Sequence, residues 1–443
     1  MGLFLLPLDS YEKVLFETHF NLRGQSHALK LLVSRYVLLA SLIRAVTILS
    51  DTFLIIYVID QVGYSEAGLL VSIWLVTQAL TDYPSGILSD RLGQRWVLTI
   101  SFLSYSGAYY YFSVANGFTD LMIAYLLFAM ASAQESGALD TWFDNNYKVL
   151  AKDDKREIYK GIRAKFRTIV DLAAAAMLIL GGYLATAIGR KFVFQIQIIG
   201  LMILLGITVV LVKDSPGARD DANYNYGVLF KDGISSVFKS KLLGLLVLAH
   251  VLYYSTLGVF GTMIMFPGYF GYAGSDYGAS IFRFTLFIGG SVLLWILADW
   301  FRGINARKWL GPTTIGHAIL FFGSAGLVLT WIPIENQFNL LGILLFGSVI
   351  MIGHMIRVSI DILLQSIYVD IIPNHRRNGF YSLLPTLSLF VTSPLMFLAG
   401  IVIDSFGHVS VILGLLLLSL GSGLVYWKAS AYIQDQTSNE VNS

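Results

Sequence analysis

Cysteine is absent from the 443 residues, which excludes disulfides, thiolate nucleophiles and thiolate metal sites and leaves the redox compartment unmarked. Charge is scarce too. Asp, Glu, Lys and Arg make up 13% of the chain, against about 25% in ordinary soluble domains. The formal net charge of +2 is too small to suggest a nucleic-acid partner. No Gly-Lys-Ser or Gly-Lys-Thr phosphate loop and no nucleotide motif occurs, so neither an enzyme nor a bound cofactor is expected. No second histidine stands at ligand spacing from His250, so no metal is expected either. Met1 to Leu8 is apolar but lacks the positive start of a signal peptide, and Asp9, Glu12 and Glu17 follow. Leu6 stands where a myristoylation signal needs Ser or Thr.

What the chain has in abundance is apolar sequence. Hydrophobic residues are 56% of the total and the mean hydropathy is +0.68, which makes this an integral membrane protein. Stretches of about 20 apolar residues, each long enough to span a bilayer, lie near 36–59, 66–88, 95–115, 119–143, 164–187, 192–212, 242–266, 277–300, 311–332, 339–370, 380–403 and 409–431. The spacing predicts an all-α polytopic chain of twelve membrane helices. Its expected parts are a cytoplasmic lead-in at 1–35, a six-helix bundle at 36–212, a polar linker at 213–241, a second six-helix bundle at 242–432 and a tail at 433–443. With both termini placed inside, nearly all arginines and lysines fall on the cytoplasmic side. Only Arg190 and Lys191 fall outside, as the positive-inside rule requires.

Between the second and third stretches runs Gly86, Asp90, Arg91, Gly93 and Arg95, in the spacing Gly-x-x-x-Asp-Arg-x-Gly-x-Arg. A glycine permits close helix approach at Gly86, and Gly93 suits a turn with positive φ. Asp90 and Arg91 at a membrane boundary can make and break charged contacts. The pattern closely resembles the loop after the second helix in the major facilitator superfamily. A worn counterpart follows the eighth stretch: Asp299, Arg302, Arg307 and Lys308 keep the charges without the glycine spacing. Gly182 and Gly189 near the end of the fifth stretch recur as Gly400 and Gly407 near the end of the eleventh, each 218 positions later. Such repeated halves are a property of that superfamily. The resemblance covers about residues 36 to 432 and implies two pseudo-symmetric six-helix bundles that open a central cavity alternately to each side. It also implies a cavity lined by the first, fourth, seventh and tenth helices.

Subfamily signatures are incomplete. Gly181 and Gly182 match the glycine pair of drug–proton antiporters, but Met177 and Leu178 stand where those carry Gly-Pro. Ala133 stands four positions before Gly137, where they carry arginine. Sugar-porter signatures are missing. Asp82 to Gly86 and Glu135 to Trp142 resemble prokaryotic facilitators of mixed or unassigned substrate.

Ionisable side chains at membrane depth cost roughly 2.5–3.5 kcal/mol on insertion scales, so each asks for a function or a partner. On the first stretch Arg44, Thr47 and Asp51 share a helix face, with Arg44 and Asp51 about 10 Å apart along the axis. The fourth stretch carries Gln134, Glu135, Asp140 and Asp144, the seventh His250, Tyr253 and Tyr254, and the eighth Arg283. On the tenth, His354, Arg357, Asp361, Gln365 and Tyr368 are spaced 3, 4, 4 and 3, which forms one polar stripe. Arg357 and Asp361 can pair within that stripe. Glu135 has no partner at i±3 or i±4, which suits it to carry a proton, with Asp51 as the second candidate. Asp171 and Asp82 have structural roles as their expectation, the latter supporting the gate motif.

The expected function is a secondary active transporter for a small solute, proton-coupled and leaning to an anion. If Arg357 is neutralised by Asp361, the clamp for that anion is Arg44 with Arg283. A proton-driven exporter of amphiphiles is the alternative, and a membrane sensor or lipid flippase on the same fold is an alternative of another class. The expected partners are the solute, protons and the lipid bilayer, for a monomer in the cell's inner membrane with both termini cytoplasmic.

Overall fold

The computed structural model describes residues 17–151, 157–213, 240–297, 304–372 and 374–441, and these are helical with no strand among them. Helix α1 spans His27–Thr47, capped by the Ser26 hydroxyl, which accepts from the Leu29 amide. A short 3-10 turn at Ile48–Ser50 leads into α2, Leu54–Leu92. Inside α2, Gly63 adopts φ 77° and ψ 175°, so the helical run is kinked at one glycine between the first two apolar stretches. Next come α3 (Gln94–Val114), α4 (Phe118–Glu135) and α5 (Ala138–Leu150). They are followed by α6 (Glu157–Ala187) and α7 (Arg190–Leu211).

In the second half of the chain, α8 (Lys241–Phe260) passes through a π-helical turn at Gly261–Met265 into α9 (Phe266–Ala273). Helix α10 spans Asp276–Leu297. Helix α11 (Ala306–His317) likewise passes through a π-helical turn, Ala318–Gly323, into α12 (Ser324–Trp331). Helices α13 (Leu340–Ile371), α14 (Asn374–Phe406) and α15 (His408–Val441) complete the order. Eight helical segments among the described residues are long and apolar enough to cross a bilayer. One of them, His27–Asp82, takes in the expected stretch at 36–59 and most of that at 66–88. The helices Gln94–Val114, Phe118–Glu135, Ala138–Leu150 and Asp276–Leu297, which cover the stretches expected near 95–115, 119–143 and 277–300, are not among the eight.

The single helix expected over 119–143 is two helices. Ser136 and Gly137, the latter left-handed at φ 74°, break the run after Glu135. Helix α4 rests on α2 and α3, while α5 rests on α1 and α3. The core is strongly aromatic: Tyr57, Tyr109, Phe112 and Phe194 pack into one buried group.

The two halves of the chain meet along two seams, α2 against α14 and α6 against α10. Glycine makes both approaches possible. A Cβ on Gly400 would lie 2.3 Å from the Tyr64 carbonyl oxygen, and one on Gly182 would lie 2.6 Å from that of Asp276, so any larger residue forces the helices apart. The glycine echo in the sequence is thus a matched pair of helix contacts. Its companions Gly189 and Gly407 both take positive φ, 128° and 77°, at the turn that follows.

Candidate functional site

Both seams are closed at the end that carries Gly63, Gly189 and Gly407. The Arg190 guanidinium donates through Nε and Nη2 to the two carboxylate oxygens of Asp276, at 2.8 and 2.9 Å, and through Nη1 to Asp60 at 2.6 Å. Its faces stack on Phe53 and Phe270. This one side chain joins α7, α2 and α10. The Arg190 and Asp276 side chains are only 15% and 8% exposed, so the pair is buried. On the other seam Asp404 accepts from the Ser65 amide and hydroxyl at 2.8 and 2.5 Å, and His408 Nε2 meets the Tyr64 hydroxyl at 2.9 Å. Deeper along it, Ser72 and Ser393 each donate to the other's carbonyl, at 2.5 and 3.2 Å. Sequence reasoning treated Arg190 as a topology charge. The available signal was that an arginine remains on the side the positive-inside rule empties.

Below this latch, Asp51 sits in the bend between α1 and α2. The bend is held because the Val46 and Thr47 carbonyls, left over at the end of α1, accept from Gln197 and the latter also from Tyr109. Asp51 accepts from Arg283 Nη2 of α10 at 2.5 Å, while Nη1 reaches the Thr52 hydroxyl at 3.3 Å. The expectation that Arg283 would be a free clamp for an anion is corrected here: in this conformation its fork is filled by Asp51. The pairing joins positions 232 residues apart, beyond what helix spacing can reveal.

Arg44 is different. Among the described residues no carboxylate lies within ion-pair distance of it, and it lines two pockets. One, of about 600 Å³, lies between α1, the α4–α5 break and α6, and is walled by Thr47, Glu135, Gly137 and Asp140. The other, of about 400 Å³, is shared with Arg283 and Asp171 and lies between α1, α6 and α10. Glu135, the last residue of α4, therefore faces the same space as Arg44 without closing a salt bridge to it. A helix broken inside a membrane protein brings its partial end charges to such a space. Asp140 and Asp144 on α5 are spoken for: Arg163 of α6 donates to each at 2.7 Å, and the Tyr36 hydroxyl bonds both Arg163 and Asp140. Asp171 pairs with Arg167 on its own helix at 3.6 Å.

The stripe on α13 divides. Asp361 pairs with Arg357 through one carboxylate oxygen at 3.8 Å, as the i,i+4 spacing predicts, and accepts from the Tyr254 hydroxyl of α8 through the other. The pair is a long one. Arg357 and His354 line a third pocket, of about 590 Å³, between α8, α11 and α13. Gln365 is exposed and Tyr368 buried. Two residues expected in a cavity wall are packed instead. Tyr253 is fully buried against His317, and His250 stacks on Tyr254 with ring centroids 4.2 Å apart.

The motif from Gly86 to Arg95 is mostly helix. Helix α2 runs on through Leu92, and only Gly93 departs, at φ 89°, the positive value expected of it. Arg91 is exposed, and Arg95 lies over the Trp96 ring. The Asp90 side chain, the surroundings of Gly86, and Asp299 lie outside the described residues.

The family profile of the Major Facilitator Superfamily matches residues 37–388. No curated protein sequence matches significantly. Among solved structures, the nucleoside transporter NupG is similar with a TM-score of 0.71 at 16% identity, over 90% of this chain and 98% of that one. A bacterial homologue of the iron transporter ferroportin in an inward-facing state is similar with a TM-score of 0.70 at 14% identity, over 90% and 98%. A POT family transporter in complex with 5-aminolevulinic acid is similar with a TM-score of 0.64 at 13% identity, over 90% and 96%. At these identities the likeness is one of fold, and the family profile carries the assignment: this chain, an integral membrane protein built for transport rather than catalysis, belongs to the Major Facilitator Superfamily.

Proposed function

We propose that the protein is a proton-coupled secondary transporter of a small organic anion, working by alternating access between two six-helix bundles at 36–212 and 242–432. The linker at 213–241 and both termini are cytoplasmic in this reading, and the protein acts as a monomer in the inner membrane. The Arg190 latch then closes the outer end, and the conformation described is open toward the cytoplasm.

The observation that carries the reading is the state of the interior arginines. Arg190, Arg163 and Arg283 hold carboxylates at 2.5–2.8 Å, whereas among the described residues Arg44 and Arg357 have none closer than 3.8 Å and each lines a pocket in its own half. Arginine cannot discharge, so an open guanidinium at membrane depth favours an anionic ligand. Two carboxyls supply the proton coupling. Protonation of Asp51 releases Arg283 into the pocket that it shares with Arg44, and Glu135 exchanges a proton in the other Arg44 pocket. The gate motif, chiefly Asp90 and Arg91, with Asp299 of its worn counterpart, is the cytoplasmic latch of the alternate state in this reading. The similar structures are of proteins named for nucleosides, iron and 5-aminolevulinic acid, so fold alone does not choose the cargo.

The test is flux of organic anions in proteoliposomes with and without a pH gradient. The expected result is gradient-driven accumulation in the native protein, and in Glu135→Gln a loss of accumulation with counterflow exchange retained. Equal loss of both removes Glu135 from the coupling, and no anion flux under any gradient overturns the reading. The apolar walls of the third pocket favour one second reading, export of an amphiphile, which outward flux of a neutral or cationic aromatic compound would reveal. A sensor or flippase would give neither flux.

A further inference from the structure

The pocket between α8, α11 and α13 differs from the two Arg44 pockets in being built from two irregular helices. The π-helical turn Gly261–Met265 brings Gly261 and Met265 to its wall, and the second such turn, Ala318–Gly323, brings Phe321. A π-turn inserts a residue at the cost of regular hydrogen bonding, and such turns recur at functional sites. Here two unrelated helices carry one and both open onto the same space. Phe260 and Phe321 face each other there with ring centroids 4.7 Å apart. Phe321 is seated against α13 because position 353 is glycine: a Cβ there would lie 2.1 Å from the ring.

The polar groups of the pocket are Arg357, His354 and His317, and Arg357 has unused donors. Arg357 has five N–H donors, yet its contacts are Asp361 at 3.8 Å and His354 Nδ1 at 3.5 Å. His317 is 1% exposed, and its Nδ1 meets the Tyr253 hydroxyl at 3.2 Å, so it is held by its own protein partners. Donors of Arg357 left unmatched at this depth favour a ligand that completes them. One end of the pocket therefore asks for acceptor oxygens, and the rest, Phe260, Phe321, Met265 and Ile350, asks for a flat apolar body.

We infer that this pocket is the selectivity site of the transporter and that it takes a monocarboxylate with an aromatic or comparably flat apolar group. The carboxylate lies on the fork of Arg357, and the ring lies against Phe321, offset or edge-on as aromatic pairs prefer. The inference rests on the anion reading above and narrows it: acetate alone would fill the polar end and leave the apolar walls without a partner.

The test is thermal stabilisation and equilibrium binding on the purified full chain, with phenylacetate, acetate and benzylamine as probes. Phenylacetate is expected to bind at least about tenfold more tightly than acetate, the gain from burying its ring, and benzylamine not at all. Phe321→Leu, which keeps the core filled but removes the ring, should cut phenylacetate affinity severalfold and leave acetate unchanged. Met265→Phe, which fills the pocket from the π-turn, should abolish the preference, and its folding is checked by retained acetate binding. Equal binding of phenylacetate and acetate, or equal effects of Phe321→Leu on both, overturns the selectivity site while leaving the anion reading standing. Absence of binding by either carboxylate overturns both.

Discussion

The end of the molecule around Arg190 and the interior around Arg44 use the same kinds of side chain to opposite effect. At the Arg190 end every charge named is matched. Arg190 holds Asp276 and Asp60, Asp404 holds Ser65, and glycines at 182 and 400 bring the backbones together. In the interior Arg44 faces Glu135 across a pocket, and Arg357 reaches Asp361 only at 3.8 Å. Matched charges make a fixed contact; unmatched charges in a cavity leave binding energy for a solute. The difference teaches that the position of an arginine in this chain says less about its role than whether its fork is filled.

The largest effect that would break the comparison is steric. Gly400→Leu places a side chain 2.3 Å from the Tyr64 carbonyl oxygen and should cost about 3 kcal/mol or more, seen as a sharp fall in the unfolding temperature in detergent. Gly206→Leu, with nothing within 4 Å, should leave that temperature nearly unchanged. Next is electrostatic. Asp276→Asn removes one partner of a buried pair and should cost about 3 kcal/mol. Because the chain has no cysteine, a single cysteine at Ser65 can report the opening, and its labelling rate should rise in Asp276→Asn. An unchanged rate would mean that Arg190 is no latch.

Arg44→Lys sharpens the other side of the contrast. It has no ion pair to lose among the described residues, so stability should change by less than about 0.5 kcal/mol, while proton-driven transport of a carboxylate falls about tenfold through loss of the fork that faces Glu135. A large stability loss with unaltered transport would make Arg44 structural. The smallest effect belongs to Asp60→Asn. Its side chain is 58% exposed, and such a partner contributes about 1 kcal/mol at most.

Much of the fold was legible in the sequence because the bilayer imposes its own ruler. Apolar stretches mark the helices, and the 218-residue echo of Gly182 in Gly400 proved to be a repeated contact. Arg357 and His354 were placed on one face by the helical period, and they do line one pocket. What the sequence concealed was partnership at a distance. Asp51 and Arg283, or Arg190 and Asp276, belong to different segments, and nothing in local spacing says which acid an arginine will choose. The break at Ser136–Gly137 was hidden for another reason: apolar residues resume beyond it at Ala138, Leu139, Trp142 and Phe143, and one glycine within a helical pattern is compatible with unbroken helix. The two π-turns left no mark at all in the hydropathy.

That break gives the fourth apolar stretch a joint. A continuous helix is a stiff rod that carries any tilt from one end to the other, but α4 and α5 need not tilt together. Helix α4 is bolted to α2 and α3, through Ser85 to the Ala133 carbonyl and Ser101 to that of Ala131, while α5 is tied by Arg163 to α6. The elbow lies at Glu135. A swing of α5 with α6 would change what that carboxylate faces while the helix bearing it stays still, so movement of the scaffold and exposure of the acid become a single mechanical event.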